Sequence, residues 1–342
     1  MSKKTIDEKN ISATFSTLKD YQKTKIVKAI SEYLAINERN ANTTFESCPK
    51  CGVEDAYITR CGHTRGGKQM LLCHSCGRKF VEDTGKPSFH SWYDASVWES
   101  FISDTISGQT LAFSEENLGI DHSTAWRWRH KVMEAVSTLE VPILLGKSAE
   151  VDEKYFRKSH KGRKIEGVPS KKRATPASKR GISKEKVCVL TGVDRTGKGF
   201  ARAYSMGKPT REDVRNIHHH FEEGTFFWSD STNCYDGMFK EKHSQYRKLK
   251  DRSSYNSVNH LNTVNSLHSF MEDRFQRCKG ISMKYINRYV AFWTQLFSYS
   301  GKTLEEKTSL LELQFRPGQK GVLPLMKEIR TRGLFLLAEE IA

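Results

Sequence analysis

No run of apolar residues in this chain is long enough to cross a membrane, and no secretory leader is recognisable. The expected compartment is a reducing cytosol, where disulfides do not persist. No basic amphipathic helix is flanked by bulky apolar anchors, so a membrane surface is not the expected partner either. Acids are in short supply: 40 Asp and Glu stand against 56 Lys and Arg, a net charge of +16. That deficit favours a polyanion as partner. With 342 residues there is room for two or three domains, at least one of them with a sizeable core.

Cysteine is sparse as well, eight in all, yet four fall into two pairs, Cys48-Pro-Lys-Cys51 and Cys73-His-Ser-Cys76, with 21 residues between them. Each pair places two thiolates on one tight turn, and two such turns can close a tetrahedral Zn²⁺ site. A zinc ribbon over 45–83 is expected, with structural zinc on Cys48, Cys51, Cys73 and Cys76. Cys61 and His63 lie between the pairs and could replace a ligand, but they form no further C-x-x-C turn. Beside a ribbon, the basic excess makes nucleic acid the leading partner.

Ahead of the ribbon, residues 1–44 read as a helical segment: one or two short helices from Thr14 to about Ile36, then an Asn-rich linker. Behind it, 90–140 has helical periodicity, with Trp92, Val97, Trp98, Phe101 and Ile102 on one side of a helix ended by Gly108. The stretch from Thr110 to Val132 has the layout of a helix-turn-helix, with Gly119 and Ile120 at the turn. Its second helix is expected to present Ser123, Thr124, Arg127 and Arg129 outward to DNA; a plain helical hairpin has the same pattern. From Glu150 the texture turns to strands, at 149–156, 187–193, 200–205 and 225–230, with helices at about 209–222, 261–275 and 283–299. That is the element order of a ribonuclease H-like α/β core over 148–300, followed by a helical tail at 301–342. Between the first two strands, 157–186 holds twelve Lys or Arg against two Glu and almost nothing apolar. Such an insertion does not fold alone; Lys171, Lys172 and Arg173 at its centre are candidates to clamp a DNA backbone, or form a solvated loop.

Asp152 lies mid-strand in Glu-Val-Asp-Glu-Lys, and Asp230 ends a strand in Phe-Trp-Ser-Asp. Carboxylates among apolar strand residues are costly unless a cation or a basic partner meets them. Two of them on neighbouring strands can share a pair of Mg²⁺ ions, the arrangement of phosphodiester cleavage and transfer.

At these motifs the chain resembles bacterial insertion-sequence transposases with a zinc ribbon, a helix-turn-helix and a ribonuclease H-like catalytic domain of the DDE type. The likeness covers roughly Ser47 to Tyr299. It rests on the cysteine pairs, on Glu150-Val-Asp-Glu-Lys-Tyr, on Trp228-Ser-Asp-Ser, and on Asn262-Thr-Val-Asn-Ser-Leu-His-Ser followed by Lys279-Gly-Ile-Ser-Met-Lys-Tyr. It implies cleavage and joining of element ends in double-stranded DNA, with Asp152 and Asp230 as the first two ligands of two Mg²⁺ or Mn²⁺ ions. It also implies a homodimer or larger assembly on DNA, at the bacterial nucleoid, with Trp228 helping to place the strand.

What the chain lacks is the third acid. With 34 residues between them, the position that follows Asp230 at the spacing of a third acid is Asn265, and Glu272 stands where related chains carry a base. Asn265, His268 and Glu272 share a helical face, so the third ligand is Asn265, or Glu272, or neither, and His268 can position a phosphate or the nucleophilic water. The rival reading is a DNA-binding regulator derived from a transposase and without catalysis; a nuclease of the same fold is a third.

Overall fold

The computed structural model describes residues 14–41, 48–53, 56–84, 87–89, 91–138, 144–159, 161, 178, 181–230, 233–241 and 245–314. They fall into two compact units, one ending at Thr84 and the other running from Pro87 to Gln314.

In the first unit, helix α1 (Asp20–Ala41) is a single element of 22 residues. The Asn-rich segment expected as a linker is helical through Ala41, because Glu38, Arg39 and Ala41 favour a helix and no Gly or Pro interrupts them. Tyr21, Val27 and Ile30 of α1 are exposed. The ribbon is a three-stranded antiparallel sheet in the order β1 (Ile58–His63), β2 (Gln69–Cys73), β3 (Lys79–Val81). Its buried cluster is very small: Leu71 and Phe80, which are cross-strand partners, together with Cys48 and Cys73.

The second unit opens with three helices. Helix α2 (Ala95–Ser107) buries Trp98, Phe101, Ile102 and Ile106 along one stripe and ends on left-handed Gly108. It starts later than the periodicity suggested, and Trp92 stands outside it, 99 % exposed. In α3 (Leu111–Leu118) the Thr110 hydroxyl oxygen accepts the Phe113 N–H at 3.1 Å, an N-cap. Gly119 and buried Ile120 make the turn into α4 (His122–Thr138), where Asp121 accepts the Ser123 N–H at 2.8 Å.

The sheet has the order β6-β5-β4-β7-β8, formed by β4 (Ser148–Arg157), β5 (Lys186–Asp194), β6 (Gly199–Met206), β7 (Phe226–Ser229) and β8 (Tyr246–Lys248). Strands β4, β5 and β6 are antiparallel, whereas β7 and β8 add in parallel to β4. Alternation along β4 divides the core. Ala149 and Val151 join Phe227, Val214, Ile217 and Phe239 on the face covered by α5 (Arg211–Arg215) and α6 (Asp236–Glu241). Phe156 lies on the other face, in one apolar cluster with α7 (Asn262–Arg277), α8 (Ile286–Ser298) and residues of α2 and α4. A last helix, α9 (Leu304–Gln314), follows. The helix expected from about 209 to 222 is only α5, opened by a Thr210–Asp213 capping box. Beyond it Phe221 is extended and bridges Leu145, a tertiary pairing that a helix would forbid.

Helices α4 and α8 are joined by a buried ion pair, Glu134 with Arg288, and by His130, whose ring packs on Trp126, Tyr285 and Tyr289. Burial, then the charges of Arg288, Arg129 and Lys284, push the His130 pKa down to about 3. A depressed folded pKa means that this imidazole contributes stability fully above its ordinary value near 6.5 and loses it as pH falls toward 3. Between pH 7 and pH 5 the cost is about 2 kcal/mol. Urea titrations should therefore show His130→Phe losing less stability than the natural chain over that interval; equal losses would contradict it.

Candidate functional site

Parallel pairing of Val151 with Ser229 brings the next residues of β4 and β7, Asp152 and Asp230, side by side. Strand β7 stops there, whereas β4 continues, so carboxylates from both faces of β4 can converge on the end of β7. Glu153 does so from the opposite face: one oxygen each of Asp152, Glu153 and Asp230 lies within 4.8 Å of the others. Sequence reasoning missed Glu153 because strand alternation sends it away from Asp152; the signal was two consecutive acids where the neighbouring strand ends. Burial first, then the Asp230 charge, raises the Asp152 pKa to about 6 against the pull of the Glu153 N–H. Burial likewise raises Glu153 to about 7, with Asp152 and Asp230 adding repulsion. A half-buried trio of acids that repel one another, all oxygen donors, fits hard divalent cations.

Helix α7 lies over β4. Its N-terminus is fixed by Glu150, fully buried, whose Oε2 accepts the Val264 N–H at 2.8 Å. Arg195 of the β5–β6 turn reaches Glu150 Oε1 at 2.6 Å, and its guanidinium stacks 4.3 Å from the Trp228 ring centre. His268, buried on α7, shares a 2.7 Å hydrogen bond with Thr191 Oγ1 and places Nδ1 3.7 Å from Asp152 Oδ2. Asn265, His268, Glu272 and Glu153 line one cavity of about 720 Å³. Glu272 is engaged there by Lys154 Nζ at 2.9 Å and by the Gln276 amide. Trp228, expected to help place DNA, is instead buried, its Nε1 donating to Asn259 at 3.1 Å. The Arg195 guanidinium over its ring and Phe226, 4.7 Å away between ring centres, cover it.

Residues 143–294 match the model of the ISXO2-like transposase domain. That stretch of the chain is a transposase domain. No curated protein matches the chain. Among solved structures it is similar to a pre-cleavage Mos1 transpososome, with 12 % identity and a TM-score of 0.26 over 67 % of this chain and 79 % of that one. A Mos1 mariner paired end complex with Mn is similar at 12 % identity and a TM-score of 0.28, over 67 % of this chain and 80 % of that one.

Ahead of the transposase domain, α4 exposes Ser123 and Arg127, with Thr124 half-exposed. Arg129 does not join them. It is buried, and its guanidinium donates to the Gln109 carbonyl at 2.7 Å. The reason is angular: Arg129 lies two residues from Arg127, on the far side of the helix, and one turn from buried Ala125. Lys171, Lys172 and Arg173 lie outside the described residues.

In the ribbon the four paired sulfurs converge, Cys48 and Cys76 at 3.9 Å and Cys51 and Cys73 at 4.0 Å, all within 4.8 Å of one another. Tetrahedral Zn–S bonds of about 2.3 Å require sulfurs roughly 3.8 Å apart, so the set fits that ion. Gly52 and Gly77 follow the pairs with φ of 72° and 67°, the left-handed backbone that each turn needs to return its N–H to the first cysteine's carbonyl at 2.8 Å. Cys61 and His63 are not part of the cluster. No helix among the described residues is long and apolar enough to cross a membrane.

Proposed function

We propose that this DNA transposase grips double-stranded element ends through its ribbon and α4, frees a 3′-OH there by hydrolysis, and joins that hydroxyl to target DNA. The observation that carries the reading is the convergence of Asp152, Glu153 and Asp230 within a transposase domain. Asp152 and Asp230 would hold two Mg²⁺ or Mn²⁺ ions, with the Asn265 side-chain oxygen as third ligand. Bound ions of this kind activate an attacking oxygen and neutralise charge on the leaving one. Glu153 makes up the negative charge that Asn265 does not bring, while Lys154 holds Glu272 aside. Glu150 and Arg195 fix α7, and so Asn265, against β4. Exposed Ser123 and Arg127 contact DNA, and Lys171, Lys172 and Arg173 neutralise phosphates. Because two ends must be joined in concert, the active form is a homodimer or larger assembly on DNA.

The test is incubation of the purified chain with duplexes carrying the inverted repeats that flank its gene. In Mg²⁺ the expected products are a new 3′-OH at the element end and, with a target plasmid, joined molecules. Tight binding without cleavage in any divalent ion would favour a DNA-binding protein without catalysis, a reading to which the neutral Asn265 would then contribute.

The third position gives a sharper prediction. Asn265→Asp adds charge at the cations and should lower the Mg²⁺ concentration for half-maximal cleavage, whereas Asn265→Ala should raise it or abolish cleavage. A titration curve for Asn265→Ala that overlays the natural one removes Asn265 from the site, and a large defect in Glu272→Gln would transfer the role there.

A further inference from the structure

Asp152 and Thr191 are cross-strand partners on β4 and β5, and both face α7. The Thr191 hydroxyl has one proton. It stands 2.7 Å from the Asp152 main-chain carbonyl, which can only accept, so the proton goes there. The same hydroxyl oxygen is 2.7 Å from His268 Nε2 and is left with lone pairs alone, so Nε2 must carry the hydrogen of that bond. A neutral imidazole with its proton on Nε2 has a bare Nδ1, and this bare nitrogen is the atom that faces Asp152 Oδ2 at 3.7 Å. Two lone-pair atoms confront each other across a gap too long for a hydrogen bond. The positive side chain nearby, Lys154, is engaged by Glu272. Two metal bonds of about 2.1 Å meeting at one cation do span such a gap.

We propose that His268 Nδ1 is a nitrogen ligand of the cation held by Asp152, with Thr191 fixing the tautomer that makes it one. The site then has mixed oxygen and nitrogen donors and takes an imidazole-tolerant ion, Mn²⁺, ahead of Mg²⁺, which keeps to oxygen. This rests on the reading that Asp152 and Asp230 hold divalent cations.

Mn²⁺ and Mg²⁺ binding to the full chain, measured by calorimetry without DNA, and the electron spin echo of the Mn²⁺-loaded protein test it together. Mn²⁺ should bind more tightly than Mg²⁺, and the echo should carry modulation from a directly bound nitrogen that changes when the chain contains 15N-labelled histidine. His268→Phe keeps the ring volume and removes the nitrogens; it should weaken Mn²⁺ roughly tenfold, leave Mg²⁺ nearly unchanged and abolish the modulation. If His268→Phe does not fold, the labelled natural chain decides alone. Mn²⁺ bound without histidine modulation, or modulation that survives in His268→Phe, overturns this inference and leaves the catalytic reading standing. A natural chain that binds neither ion overturns both.

Discussion

Asp230→Asn should still bind element ends in a gel-shift assay but cleave them in Mg²⁺ about 10³-fold more slowly, and Asp152→Asn should behave in the same way. The size follows from losing a ligand whose charge offsets several kcal/mol at the reacting oxygens, at about 1.4 kcal/mol per factor of ten. Binding survives because Ser123 and Arg127 and the ribbon lie elsewhere in the chain. Stability should move in the opposite direction. Burial raises the Asp152 pKa to about 6, so in metal-free protein near pH 7.5 its carboxylate is charged at a cost, and an amide removes that cost. Asp152→Asn should therefore melt higher than the natural chain without divalent ions and gain less from their addition. A variant that cleaves at the natural rate would remove that residue from the site, and one that melts lower without metal would show its carboxylate to be structural.

Removing zinc should unfold the ribbon outright. The buried cluster between β1, β2 and β3 amounts to Leu71, Phe80 and two of the cysteines themselves, far too little to offset the conformational entropy of a fold of this size. Zinc binding to such sites contributes an apparent 10–16 kcal/mol or about that. Elemental analysis should find one Zn²⁺ per chain; after chelation, or in Cys73→Ser, protease should cut freely between Cys48 and Val81. A chelated chain that resists protease there would mean that the four thiols hold no structural ion.

Much of this could be read from residue order. The cysteine turns, the strands around Val151, Val189 and Phe227, and the helix bearing Asn265 and His268 all follow from short-range spacing. What could not be read depends on which strand ends beside which. Glu153 enters the acidic trio only because β7 stops at Ser229, and Trp228 is covered because Arg195 and Asn259, far from it in the chain, reach it across the fold. Too short to show alternation, β8 escaped notice. Arg129 is a different case: its inward position was available from helical geometry, since Arg127 and Arg129 cannot share a face, but a string of basic residues invited a single outward reading.

The aromatic and ionic contacts that bind α4 to α8 place the exposed end of α4 and the carboxylates of β4 in one solid body. That packing holds the exposed end of α4 at a fixed distance from those carboxylates. If Ser123 and Arg127 read bases, the scissile bond lies at a set distance from those bases, as if marked on a ruler. Adding base pairs between them would then move the nick relative to the end of the element and leave its distance from the read sequence unchanged.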